Sequence, residues 1–201
     1  MKHAIIFVLI LVCAASGAFF ACEAQAAGGE KRLILPKPQT TGGKPLMEAL
    51  AARSASRSFS DKPVSEQVLS NLLWATWGVN RSDGRRTAPT ARNTQDIQVY
   101  AALESGVWRY DAVKNELVLA LEEDTRKKFG GAPLTLLFAV PEKDRFGSMH
   151  AGSLYQNAGL FCASEGLANV VKASGTDALK GVLPLPSGYI VVIIQSIGWP
   201  R

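Results

Sequence analysis

Apolar residues recur along the chain with two different periods, and each period predicts a different kind of element. Leu46, Met47 and Leu50 mark a short helical stripe that opens at Pro45 and runs to about Ala52. Val68, Leu69, Leu72, Leu73, Thr76 and Trp77 repeat at helical spacing, with Ser65 placed to cap the start and Gly78 to stop the end. Segments 97–103, 107–110 and 116–121 read as strands, the last two joined by a turn over residues 111–115. Residues 125–129 predict a single helical turn. Residues 134–140 and 189–197 are mostly apolar, as expected of central strands. Residues 149–168 form the longest helix candidate, apolar on most faces and so expected to be buried. A short helix is predicted over 177–183.

Between these segments lie two stretches without apolar period. Residues 27–44, with Pro36, Pro38, Gly42 and Gly43, read as an arm or linker. Residues 80–93 form a polar loop carrying Arg85, Arg86, Pro89 and Arg92. The strand and helix order is not a βαβ alternation, so the expected class is α+β, a mainly antiparallel sheet with helices packed on it. A length of 201 residues favours one folded domain, placed at 45–201.

The first 26 residues read as a secretory leader. Lys2 and His3 form a short basic start, residues 4–20 are apolar, and Ala24-Gln25-Ala26 offers small residues at the cleavage positions. A membrane anchor is the competing reading, but the run is marginal in length and lacks a basic stop-transfer flank. A lipoprotein cysteine at Cys22 is the weaker third reading, because bulky Phe19 stands where such signals carry an aliphatic residue. The expected location is therefore periplasmic or extracellular. Cleavage leaves Cys162 alone, so no internal disulfide is expected. Cys162 lies in an apolar helical stretch and reads as a small buried hydrophobe. The net charge of +5 suits anionic ligands, but no basic run points to nucleic acid. Neither His3 nor His150 has a metal-ligand partner at useful spacing, so no metal site is expected.

Arg53 and Arg57 stand four apart where the first helix should end, with Ser54, Ala55 and Ser56 between them. Two guanidinium groups converging beside hydroxyls and free backbone N–H groups suit a phosphate. Spacing alone favours two solvated surface arginines over a phosphate site.

A wider set of residues resembles the nitroreductase family. Arg53-Ser54-Ala55-Ser56-Arg57-Ser58-Phe59, followed by Asp61-Lys62-Pro63-Val64, is similar to the family's opening motif. Ala88-Pro89-Thr90-Ala91-Arg92-Asn93-Thr94-Gln95 is similar to its Ala-Pro-Ser-x-x-Asn-x-Gln, with Asp96 where Pro is usual. Gln156-Asn157 through Glu165-Gly166-Leu167-Ala168 resembles its long helix. Ser174-Gly175-Thr176-Asp177-Ala178 resembles its Glu-Gly-x-Asp-x loop, and Gly198-Trp199-Pro200-Arg201 its closing Gly-Tyr-Pro. The resemblance runs from Pro45 to Arg201. Gly84-Arg85-Arg86-Thr87 before Ala88-Pro89 looks most like the thiazoline/oxazoline dehydrogenase-like branch.

The resemblance implies a homodimer with FMN held between subunits, serving as an oxidoreductase. It implies that Arg53 and Arg57 hold the phosphate, with Ser54 or Ser56 standing in for the hydroxyl missing at Ala55. Asn93 and Gln95 would meet the polar edge of the ring. Gly175, with Ser174 beside it, would turn its backbone N–H toward flavin N5, and Arg201 would add to phosphate binding. No catalytic protein nucleophile is implied. NAD(P)H is the common family donor, but an exported protein would not meet a cytoplasmic nicotinamide pool, so FMN is the firmer expectation. The competing expectation is a flavin-binding or degenerate interaction protein without turnover.

Overall fold

A computed structural model describes residues 29–201. The expected leader, 1–26, and the start of the arm lie outside the described residues. Seven strands form one sheet in the order β1-β4-β3-β2-β5-β7-β6, and every neighbouring pair is antiparallel. They are β1 (Arg32–Ile34), β2 (Gln98–Leu103), β3 (Gly106–Asp111), β4 (Glu116–Leu121), β5 (Leu134–Pro141), β6 (Ala168–Lys172) and β7 (Tyr189–Gly198). Three helices, α1 (Leu46–Ala52), α2 (Glu66–Trp77) and α3 (Gly147–Glu165), pack around the central strands. The α+β expectation therefore holds. Among the described residues, no helix is long and apolar enough to cross a membrane.

The central strands are buried on both faces, which explains their near-continuous apolar runs. Val99 and Ala101 of β2 and Leu136 and Phe138 of β5 join Leu72, Leu73, Leu154 and Cys162 of α2 and α3 in one core. Their neighbours Tyr100, Ala102, Leu137 and Ala139 face the other way, against Phe129, Leu179, Leu183 and Ile194. The period of two along a strand delivers alternate residues to two separate cores.

Local chemistry sets both ends of α2 as expected. Ser65 caps α2 by accepting the Val68 N–H at 3.4 Å. Gly78 stops α2, and a Cβ there would lie 2.3 Å from the Trp74 ring.

Three differences from the sequence reading have physical causes. The arm expected over 27–44 contains β1, because Arg32–Ile34 pairs with β4 and sends Leu35 into the core. The helix expected over 149–168 stops at Glu165, since Gly166 turns left-handed at φ 74°. The chain then continues as a strand, β6, which pairs with β7. Last, the short helix expected over 177–183 is a 3-10 turn, Thr176–Leu179.

Candidate functional site

The antiparallel register brings four chain ends together. β2 begins at Gln98 and pairs with β5 near that strand's end, Gln98 opposite Ala139. Ala139 lies opposite Val191 near the start of β7, and Lys172 at the end of β6 lies opposite Ile194. The loops carrying Asn93, Asp144 and Gly175 therefore leave the same end of the sheet. β2 and β6 stand about 14 Å apart across β5 and β7, taking the ordinary spacing between strands.

The β6 side gathers most of the expected anion-binding residues. Arg53 ends α1, its N–H donating to Ala49 O at 2.9 Å. The segment beyond is pinned to β6 by the Ser56 N–H donating to Asn169 O at 2.8 Å. The Ser56 hydroxyl accepts the Ser58 N–H at 3.3 Å, whereas the Ser54 side chain has no such partner among the described residues. Phe59 bridges Pro200, and the Ser60 N–H donates to Trp199 O at 2.9 Å. Arg201 thus follows a tethered segment and emerges beside the Arg53–Arg57 loop. Arg53, Arg57 and Arg201 are exposed, and no carboxylate pairs with them among the described residues.

Lys172 lies within electrostatic reach of Arg57, and the sequence reading missed it. Burial, and then the Arg57 charge, pull its ammonium below the usual lysine range. Its Nζ donates to Phe129 O. The same Phe129 approaches Gly175, since a Cβ on that glycine would lie 3.9 Å from Phe129 Cδ1 and 3.4 Å from Ile194 Cδ1. A lysine closing an apolar strand just before Ser174-Gly175 was the visible signal. It went unread because residues 166–172 lay partly within the expected helix.

Gly175 is exposed and left-handed, at φ 88°. Its carbonyl accepts the Ala178 N–H at 3.1 Å, while its own N–H meets no acceptor among the described residues. Ser174 is exposed beside it. From Thr176 a cavity of about 640 Å³ extends along Leu179, Leu183, Tyr189 and Ile190. Its volume falls in the range of small-molecule pockets.

The Asn93 side is built differently. Arg92, Asn93 and Gln95 are all left-handed, at φ 54°, 56° and 50°. Gln95 spends its side chain inside the loop: Nε2 donates to Asn93 Oδ1 at 3.0 Å and to Gly84 O at 3.3 Å, and Oε1 accepts from Arg86 Nε at 2.8 Å. Arg86 lies over the Trp77 ring at 5.3 Å, and burial lowers its pKa. Gln95 therefore braces Asn93. Asn93 itself is exposed, and its side-chain amide donors point to no partner among the described residues. The expected residues fall into three groups: Arg53, Ser54, Arg57 and Arg201 where β6 begins and β7 ends, Ser174 and Gly175 where β6 ends, and Asn93 and Gln95 before β2.

Comparison with known proteins agrees with this architecture. The sequence profile of the nitroreductase family matches residues 50–199. A crystal structure from Ralstonia eutropha, described as a nitroreductase, is 35% identical, with a TM-score of 0.78 over 86% of this chain and 90% of that one. A protein of Methanocaldococcus jannaschii carrying the nitroreductase name is 25% identical over 62% of this chain and 76% of its own length. A Bacteroides fragilis nitroreductase solved with bound FMN shares the fold at TM-score 0.56 and 14% identity, over 79% of this chain and 89% of that one.

Proposed function

The chain belongs to the nitroreductase family, and from that premise we propose that it is an exported, FMN-dependent oxidoreductase. It would pass hydride through bound flavin to or from a small organic substrate, as a homodimer. The observation that carries this reading is the gathering of Arg53, Arg57 and Arg201, exposed and without a carboxylate partner among the described residues. Lys172 lies within electrostatic reach of Arg57, and burial first, then that charge, lowers its pKa. Like charges held together without a carboxylate favour an anion between them, and a flavin phosphate is such an anion.

The residues present fit FMN. Arg53, Arg57 and Lys172 would hold the phosphate, with Ser54 able to donate where Ala55 cannot, and Arg201 arriving from the tethered C-terminus. Gly175 would offer its unclaimed N–H to the ring nitrogen that takes up hydride, and the absent side chain lets the backbone approach. Asn93, braced by Gln95, would donate to the ring's polar edge. FMN, when bound, supplies the hydride-accepting and hydride-donating chemistry. The separation of the Asn93 and Gly175 groups supports a site built from two copies of the chain. The cavity beginning at Thr176 gives a small substrate room next to Gly175. Export rests on residues 1–26 of the sequence, and it favours a donor other than cytoplasmic NAD(P)H.

The test is an absorbance spectrum of the purified protein, with FMN added if it emerges colourless. Flavin bands that vanish in the Arg53→Ala/Arg57→Ala double variant are expected, as is bleaching by a chemical reductant and recovery with a quinone or nitroaromatic acceptor. A folded protein that binds no FMN would overturn the oxidoreductase reading. Binding without recovery would favour a flavin-binding protein that does not turn over.

A further inference from the structure

The start of α3 holds a buried group of side chains that the flavin chemistry does not use. His150 is 7% exposed. Its Nε2 accepts the Ala91 N–H at 2.8 Å. A neutral imidazole carries one proton, so with Nε2 acting as acceptor that proton sits on Nδ1. Nδ1 faces Asp144 Oδ2 at 3.6 Å. Asp96 completes the group, with ligand atoms of all three residues within 4.8 Å of one another. Asp96 Oδ1, Asp144 Oδ2 and His150 Nδ1 are each buried and without a hydrogen bond.

Two carboxylates and an imidazole at this separation could in principle surround a cation. The tautomer speaks against it. A metal-ligating histidine donates its second ring N–H to an acceptor, which orients the ring. The second nitrogen of His150 meets a donor instead. Ligation through Nδ1 would therefore displace the proton and cost the Ala91 contact.

The Ala91 contact has a clear use. Ala91 opens the turn in which Arg92, Asn93 and Gln95 are all left-handed. Such conformations are unfavourable for residues other than glycine, so the turn needs hold from outside. Within the turn, Thr90 O accepts the Asn93 N–H at 3.1 Å, and Thr90 Oγ1 accepts the Gln95 N–H at 3.1 Å. His150 ties it to α3. We propose that His150 is a positioning residue for this turn: Nε2 clamps the Ala91 N–H, the Asp144–Asp96 pair keeps the ring proton on Nδ1, and protonation of Nε2 releases the clamp. Its bearing on the flavin rests on the assignment of Asn93 to the ring.

The direction with pH follows from the contact itself, in which Nε2 must be free to accept the Ala91 N–H. Asp144 from the loop before α3 and Asp96 from the loop before β2 are the carboxylates that face the ring. Tyr189 of β7 lies near Asp96, and Arg145 covers the Phe146 ring, which stacks on His150 at 6.1 Å. A proton arriving at Nε2 sets N–H against N–H, so the contact with Ala91 is lost on acidification.

Hydrogen exchange at the Ala91 amide tests this in the flavin-free protein. The wild type should be protected near neutral pH and lose roughly three- to tenfold of that protection on acidification, after correction for intrinsic exchange. His150→Gln, which keeps an acceptor but cannot titrate, should hold its protection throughout. His150→Leu should lack it at every pH. Should His150→Leu fail to fold, the contrast between wild type and His150→Gln still decides. Identical pH profiles for those two would overturn the proposal, as would nitrogen NMR placing the ring proton on Nε2, or saturable Mg²⁺, Mn²⁺ or Zn²⁺ binding lost in Asp96→Asn. In protein loaded with FMN, the flavin absorption bands of the wild type should shift over the same acid range and those of His150→Gln should not. If FMN does not bind at all, the exchange result stands alone, so the two readings fail separately.

Discussion

Gln95 donates its side-chain amide to Asn93 Oδ1 at 3.0 Å, which orients the asparagine and leaves its own amide hydrogens facing outward. Gln95→Leu should therefore weaken FMN binding although it removes no direct contact with the ring. The loss should be about 1 kcal/mol, near fivefold in affinity. Asn93→Ala should cost a similar amount, and the double variant little more than either alone, since both act through one donor. Quenching of FMN fluorescence on titration reads all three. Additive losses would mean that Gln95 acts independently.

Lys172 gives a pH dependence whose sign can be worked out. Lys172 has a lower pKa folded than unfolded, from burial first and from Arg57 second. Between those two values the unfolded chain binds more protons, so stability of the flavin-free protein rises with pH across that alkaline window. A bound phosphate restores the charged form, so FMN binding takes up a proton there and affinity falls as pH rises. Lys172→Met should remove this pH dependence and weaken binding. Calorimetric titration in two buffers of different ionisation heat measures the proton uptake directly.

Gly175→Ala tests the approach of the backbone at the ring. The residue is left-handed at φ 88°, and a Cβ would meet Ile194 Cδ1 at 3.4 Å. A penalty of about 1 kcal/mol in stability is expected from the conformation alone. Flavin affinity and the midpoint potential should both move, because the N–H shifts relative to the ring. A variant with lower melting temperature but unchanged potential would separate Gly175 from the flavin.

Cys162 should behave as an apolar residue. It is fully buried, and burial pushes its thiol well above the usual range. Native protein lacking residues 1–26 should give no reaction with a thiol reagent at pH 8, and one equivalent once denatured. Cys162→Ala should cost about 1–2 kcal/mol in thermal or denaturant unfolding and leave flavin binding unchanged.

Legibility in the sequence tracked the range of the interactions involved. The Ser65 cap and the Gly78 stop of α2 depend on contacts within a few residues, and both were readable. β2 was visible from its alternation, and β5 and β7 because burial on two faces leaves mostly apolar runs. β1 was hidden because three residues of an edge strand carry no period, and only pairing with β4 makes them a strand. β6 was hidden because its apolar residues continue the pattern of α3, and the break depends on the left-handed turn at Gly166.

The site divides along the same line. The sequence by itself determined which residue types were available: paired arginines, an Asn-x-Gln turn, a Ser-Gly loop and a basic end, in an order that resembles the nitroreductases. Those are local patterns, and side-chain chemistry travels with them. Only the tertiary structure decided that Lys172 comes within reach of the Arg57 charge, that Gln95 turns inward onto Asn93, and that His150 meets Ala91, Asp96 and Asp144. Apart from Gln95–Asn93 and the short reach from His150 to Asp144, these pairings join segments far apart in the chain, and strand register rather than sequence spacing sets their distance.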